Sequence, residues 1–330
     1  MDLTTRYMGL ELKNPIIVSS SGMTSTVDGI KLMAESGAGA VALKSLFEQE
    51  IQMEISSMSG SGAVVNNYGE AADYMQYYVR EENVGKYLEL IEGAKKAAGI
   101  PVIASVNCVS PGEWTSFAKS IESAGADALE LNIFIMPSDP KFNSENIEKR
   151  YFDIIAEVKK RISIPLAVKI GYHFSGMAHF LVALSNTGIR GMVLFNRFFS
   201  PDIDLKKLEI TAMPVFSSPS DLALPLRWIG MLAGKVRCDL AASTGVHDGW
   251  ALAKVLLSGA SCAEIATAVY KNGAKQIGLM LEDLRTWMGS HGFGKIDDFR
   301  GRLSQKNISD PVHYEQAQFM KYFSSHGKSK

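Results

Sequence analysis

The chain has 330 residues, 46% hydrophobic and 21% charged, with a formal net charge of -1. That balance offers no broad basic field for nucleic acid or an anionic membrane surface, and no uninterrupted apolar run reaches the ~18 residues that span a bilayer. The opening MDLTTRYMGLEL has an early acid and no apolar core of signal-peptide length, and Cys108, Cys238 and Cys262 form neither a zinc pattern nor a disulfide framework, so the expected compartment is a reducing cytoplasm.

Taken in chain order, TTRYMGLELKNP alternates and turns at Gly9, which predicts a hairpin closing one end of the fold. Eight short apolar runs follow: 15–19, 39–44, 101–106, 128–132, 165–169, 191–195, 239–242 and 262–265. Each is nearly continuous in apolar character and bounded by Gly, Pro or polar residues, the pattern of strands buried on both faces. Helical patterns separate them, among them 84–99, 113–125, 145–162 and 177–188. In the third of these, Ile147, Tyr151, Ile154, Ile155 and Val158 recur at helical spacing between charges. Gly99, Gly125 and Gly188 stand where left-handed helix caps are expected.

Eight strand–helix units predict an α/β fold, a (βα)8 TIM barrel forming one domain over 1–330, with residues from about 291 onward as an appendage. Periodicity cannot show closure, so a doubly wound open sheet is the alternative. Connections 45–83, 133–144 and 196–220 are too long for simple turns. All leave the C-terminal ends of strands, the face on which barrel enzymes place their chemistry. GAGAVA (37–42) matches a dinucleotide fingerprint in letters only, because it follows a helix and opens a strand.

The strand ends are polar. The second ends in Lys44 and the fifth in Lys169; the third runs into Ser105 and Asn107, the fourth ends in Asn132, and the sixth runs into Asn196 and Arg197. Any one of these could cap a strand or pair with a helix. Five together at one rim predict a ligand site rich in hydrogen-bond donors, because an unpartnered buried charge is costly. Small-residue turns, ASTGVHDG (242–249) and IATAVYKNG (265–273), follow strands seven and eight, where barrels often receive a phosphate. The six histidines show no metal spacing, and no metal site is expected.

These residues resemble the dihydroorotate dehydrogenase family, particularly its soluble class 1 members. The resemblance lies in NPIIVSSSGM, SGAGAVALKS, ELN, PLAVK, STGVHDGWALAKVLLSGA, IATAV and GFGKIDDFRGRL, in that order over nearly the whole chain. It implies an FMN oxidoreductase that oxidises dihydroorotate to orotate, in pyrimidine biosynthesis, by hydride transfer to flavin N5. Carried over, Ser20, Ser21 and Gly22 lie near the flavin ring, Lys44 and Ser45 contact the flavin, and Lys169 stabilises the charge left on the reduced ring. Asn132 and Asn196 face substrate and flavin. Ser105 and Asn107 belong to the same rim. Ser243, Thr244, Gly245, Ala266 and Thr267 surround the phosphate, with Ser218 a looser match. Asn66 or Asn67 resembles a substrate asparagine, since amides suit an imide-like ring. Arg197 replaces a small hydroxyl residue; it either favours an anionic ligand or seals the lid by pairing with an acid.

The family's base, a cysteine or serine in the loop after Asn132, is missing. The register gives Ile135, or Met136 if Pro137 is aligned, and neither accepts a proton. Three readings follow. Ser138 serves as base; another small dihydro or unsaturated substrate is used; or the protein binds FMN without catalysis. A rival from another class is a Schiff-base lyase or isomerase using Lys44 or Lys169. The resemblance also implies a homodimer and a redox partner subunit, with no membrane or nucleic-acid partner.

Overall fold

The computed structural model describes residues 1–47, 69–107, 114–198 and 200–315. The chain begins with an antiparallel hairpin, β1 (Thr5–Tyr7) and β2 (Leu10–Leu12). Met8 and Gly9 at its turn both have positive φ, 57° and 84°. This is the double left-handed turn that suits the twist of two-residue hairpins.

Eight parallel staves follow. They are β3 (Ile16–Val18), β4 (Ala40–Ala42) continued by β5 (Leu46–Phe47), β6 (Val102–Asn107), β7 (Ala128–Asn132), β8 (Leu166–Ile170), β9 (Gly191–Leu194), β12 (Asp239–Ser243) and β13 (Cys262–Ile265). Each pairs with its sequence neighbour, and β13 pairs back onto β3. The ring is therefore a closed (βα)8 barrel, and the open doubly wound alternative is excluded. Outside it lie α1 (Val27–Glu35), α2 (Gly69–Ala98), α3 (Trp114–Ser123), α4 (Ser144–Lys159), α5 (Met177–Ser185), α6 (Ala223–Leu232), α7 (Gly249–Ser258), α8 (Thr267–Asn272) and α9 (Lys275–Ser290). Helix α4 buries the five positions that its periodicity marked. Helix α2 starts earlier than the 84–99 pattern predicts.

The connection 196–220, read from sequence as a plain loop, contains an exposed hairpin, β10 (Pro201–Asp204) with β11 (Glu209–Ala212). Its signal was present as alternation in DIDL and LEIT. The described residues after α9 are docked onto the barrel. Asp2 and Lys295 form a β-bridge, Ile296 and Phe299 are fully buried, and Gly301 and Leu303 N–H groups donate to carbonyls of Leu256 and Leu257.

Residue parity divides the core in two. Ile16, Val18, Val41, Val102, Leu129, Val168, Met192, Leu240 and Ala263 face the helices. Ile17, Ala40, Ala42, Ile103, Ala128, Ala167, Val193, Ala241 and Cys262 fill the barrel interior together with Tyr7, Met8 and Leu12 of the hairpin. The alanines leave the room that the hairpin occupies, so β1–β2 plugs the N-terminal end. The Met8 N–H donates to Asp239 Oδ2 at 2.8 Å and fixes the plug to β12.

Gly191 lies against this plug; a Cβ there would sit 2.7 Å from Tyr7 Oη and 2.8 Å from Met8 Cγ. Gly191→Ala is expected to lower the unfolding free energy by about 1–3 kcal/mol through overpacking. Tyr7→Phe, which removes a buried hydroxyl lacking a partner, is expected to raise it. Urea denaturation of both variants checks the pair.

Candidate functional site

Because side chains alternate along a strand, two residues beyond each interior position the same parity reaches the C-terminal rim. From Ile17, Ala42, Ala128, Ala167, Ala241 and Cys262, steps of two or four arrive at Ser19, Lys44, Asn132, Lys169, Ser243 and Glu264. All six line one cavity of about 370 Å³, within the range of ligand pockets. Ser20, Ser21, Gly22, Ser45, Asn196, Arg197, Thr244, Gly245, Ala266 and Thr267 line it too. Of the sequence-derived residues, Ser105, Asn107, Ser138 and Ser218 do not. Asn66 and Asn67, and Cys108, lie outside the described residues.

Ser105 is buried one layer behind the wall, its hydroxyl 2.7 Å from that of Ser45, which in turn lies 3.0 Å from Ser20 Oγ. Ser218 is exposed, and the neighbouring Ser217 lines the cavity instead. The Ser217 hydroxyl lies 3.0 Å from His247 Nε2, and its N–H donates to Thr267 Oγ1 at 3.2 Å. At the same end, Thr244 and Gly245 have φ of 79° and 84°. A Cβ on Gly245 would fall 2.1 Å from the Leu222 backbone nitrogen, so this turn admits only glycine.

Ser138 is exposed and is not brought to the cavity. The connection after Asn132 buries Ile133, half-buries Phe134 and Ile135 and exposes Met136. Phe134 stacks on Phe198 at 4.1 Å, and Phe198 packs against Tyr172 and His173. The large apolar residues of this connection thus hold two loops together. Arg197 resolves toward the lid-sealing alternative. Its guanidinium meets Asp221 at 2.9 Å and donates to the carbonyls of Pro214, Val215 and Phe216, fixing a strap whose Val215 and Phe216 wall the cavity. The Asn196 side-chain N–H donates to Asn132 Oδ1, which places two amides side by side at the mouth.

The floor is charged, which sequence reasoning missed. Lys169 Nζ lies 2.6 Å from Glu264 Oε2, 2.9 Å from Ser19 Oγ and 4.0 Å from Glu130 Oε1. The side chains of Lys169, Glu130 and Glu264 are only 8%, 1% and 0% exposed. Burial alone would lower the Lys169 ammonium, but Glu264 and Glu130 outweigh it and hold the group above its ordinary value. Burial pushes Glu130 well up, and Glu264 beside it pushes the same way. Burial would also raise Glu264, but Lys169 and the hydrogen bonds from Glu130, Lys169 and Ser19 bring it below the usual carboxylate range. These directions favour the charged forms of Lys169 and Glu264 and disfavour a second negative charge on Glu130. A Schiff-base nucleophile must be a free amine, so the lyase reading loses Lys169. The sequence signal for the pair is a glutamate inside each of two buried strands, ALELN and CAEI.

The profile of the family described as dihydroorotate dehydrogenase matches residues 2–288, and the chain belongs to that family, whose members are flavin-dependent oxidoreductases. It is similar to the protein named dihydroorotate dehydrogenase B (NAD(+)), catalytic subunit, of Thermoplasma volcanium, with 25% identity over 311 residues, covering 91% of this chain and 98% of the relative. The protein of the same name from Methanothermobacter thermautotrophicus is 24% identical over 319 residues, with 91% and 97% covered. Among the described residues no helix is long and apolar enough to cross a membrane, and no cluster suits a metal ion.

Glu130 also predicts a pH dependence of stability. Its folded-state pKa is raised above the unfolded value. Its contribution is therefore fully present below the unfolded carboxyl range, near 4.3, and is lost as pH rises toward the folded value. Glu130→Gln should leave Tm little changed at about pH 4 and raise it progressively relative to the unmodified protein toward about pH 7, measured by calorimetry.

Proposed function

We propose that the protein is an FMN-dependent dehydrogenase acting on a CH–CH bond, with dihydroorotate as its substrate. The observation that carries this reading is the rim cavity in which a buried Lys169 paired with Glu264, two carboxamides and two small-residue turns meet. The donor set fits the group. Gly245, Ala266 and Thr267, with the hydroxyls of Ser243 and Thr244, suit a phosphate. Ser20, Ser21, Gly22, Lys44 and Ser45 suit the ring and its side chain. When bound, the flavin supplies a hydride acceptor. Lys169 is held at the cavity floor, with Glu264 and Ser19 fixing its direction. Asn132 and Asn196 each offer a donor and an acceptor to a planar imide-like substrate, and Asn66 and Asn67, which lie outside the described residues, are proposed as further substrate amides on the family resemblance alone. Arg197 positions the strap that keeps water from one side.

A second reading has its own observation. The connection after Asn132 supplies no proton acceptor to the cavity, since Ile135 is apolar and Ser138 points to solvent. That favours a small dihydro substrate whose proton leaves without a base of the family type, and loss of a base costs about 10²–10⁴-fold. The names of these two relatives, catalytic subunits of an NAD-dependent enzyme, support electron exit to a partner subunit; a cytoplasmic location is proposed with it from the composition alone. The hairpin β10–β11 exposes Leu205 and Leu208 at 81% and 82% beside Ile203 and Ile210. An apolar patch of this kind marks an interface, and a second copy of the chain is its proposed occupant.

Purified protein is expected to be yellow, to release FMN on denaturation, and to lose its flavin absorbance on anaerobic mixing with dihydroorotate. Asn132→Ala and Asn196→Ala should slow that bleaching, while Ser138→Ala leaves it unchanged. Bleaching by dithionite but not by dihydroorotate would transfer the assignment to the second reading, and colourless protein that rejects added FMN would end both. In sedimentation, Leu205→Asp combined with Leu208→Asp should convert a dimer to a monomer without loss of bound flavin.

A further inference from the structure

The floor of the cavity carries an unusual charge count. One ammonium, Lys169, faces two carboxyl groups, and among the described residues no other cation is within ion-pair distance of either carboxyl; Lys44 lines the same cavity, and Arg197 pairs with Asp221. Other titratable groups around the pair include Tyr7 from the hairpin, Tyr87 from α2 and Cys262 from β13. Burial drives all three upward, so they stay protonated. Glu130 Oε1 and Glu264 Oε1 are each buried without a donor. One proton between the two carboxyl groups satisfies both, as in other carboxyl pairs that cannot ionise together. A row of hydroxyls leads from the cavity wall toward this pair. Ser20 and Ser45 line the cavity, their hydroxyls lie 3.0 Å apart, Ser45 Oγ lies 2.7 Å from Ser105 Oγ, and Ser105 stands directly opposite Glu130 in the β6–β7 register. Ser105 is held in place by Tyr87, whose hydroxyl accepts its N–H at 2.7 Å and donates to its carbonyl at 2.8 Å.

We propose that Glu130 and Glu264 share one proton beneath the cavity and take up a second, relayed through Ser20, Ser45 and Ser105, when the group held above Lys169 gains negative charge. The relay part rests on the flavin reading given above. The balance is as follows. A two-electron donor delivers two electrons and one proton to the ring, taking it from neutral to one negative charge. One proton from solvent enters the carboxyl pair, taking it from one negative charge to neutral. Lys169 remains an ammonium, released from Glu264 to face the ring, and the net charge of ring, pair and ammonium stays at zero. Glu264 lines the cavity floor and Glu130 lies behind it; both are assigned as positioning residues whose effect runs through Lys169.

The decisive measurement is the midpoint potential of the FMN-loaded protein between about pH 7 and pH 9. Each proton taken up with two electrons contributes about 30 mV per pH unit. The unmodified protein is expected to show about 60 mV per pH unit, two protons per two electrons. The double variant Glu130→Gln with Glu264→Gln keeps the side-chain shapes and is expected to show about half that slope. A one-proton slope in the unmodified protein overturns the proposal. Ser105→Ala should slow proton uptake after rapid reduction, followed with a pH dye, while leaving the slope unchanged; unaltered uptake overturns the relay. Infrared difference spectra of cofactor-free protein supply the independent arm. A protonated-carboxyl band that disappears in Glu130→Gln supports the shared proton, and its absence from the unmodified protein overturns it. A protein that shows the band but takes up no flavin overturns the functional reading of the cavity while upholding the pair.

Discussion

The ion pair between Lys169 and Glu264, 2.6 Å long and almost fully buried, sets the terms for the rest of the molecule. Removing two such charges from water costs several kcal/mol for each, and only close geometry with further hydrogen bonds offsets it. Ser19 provides one of those bonds, donating to Glu264 while accepting from Lys169. Glu130 then stands close enough to add a second anion that the interior cannot hold, and neutrality forces its proton to remain. The barrel thus contains, at the floor of its C-terminal cavity, a layer of charge in which Lys169 faces Glu264 and Glu130. Below it lie small alanines and the hairpin plug. Around and above it the cavity is lined by hydroxyls and amides.

That layering follows from strand parity. Closure of eight parallel staves leaves no edge, so every second residue has nowhere to go but the interior. At the N-terminal end those residues are alanine, isoleucine and valine, and the hairpin fills the remaining space. At the C-terminal end the same parity brings out Ser19, Lys44, Asn132, Lys169, Ser243 and Glu264 together. The site is therefore the polar end of the same column of residues whose apolar end is the inner core. Long connections are confined to that rim, so the strap held by Arg197 and the aromatic contacts of Phe134 and Phe198 can shape the cavity without disturbing the staves.

Much of this was legible from the chain alone, because it depends on local pattern. Eight buried runs gave the staves, the turn at Gly9 gave the plug, and polar strand ends gave most of the rim. What escaped depends on contacts far apart in sequence. Glu130, Lys169 and Glu264 sit on three strands, and no local signal says that they meet, although a glutamate inside an apolar strand is itself a prompt to look for a partner. Whether Arg197 met a ligand or an acid was open until Asp221, 24 residues away, was found beside it. Ser218 and Ser217 differ by one position in a segment without periodicity, where register has nothing to fix it. The exposed hairpin after β9 went unread because its alternation is short and its apolar residues face outward, where burial gives no reason to expect them.

The strand that ends in Asn132 brings these threads together. Its amide is occupied sideways by Asn196, and the loop beyond it is spent on packing, Ile133 into the core and Phe134 against Phe198. A loop committed to apolar contacts cannot also present a proton acceptor, because a hydroxyl or thiol at Phe134 or Ile135 would give up the contacts that tie the two rim loops together. Proton management in this cavity therefore falls to groups that are already fixed by the fold. The buried carboxyl pair is the one such reservoir among the described residues connected to the cavity by hydroxyls. It lies at the cavity floor, away from the mouth where Asn132 and Asn196 meet. On the proposed reading it is suited to balancing charge on a bound ring, and accepting a substrate proton at the mouth is a separate task.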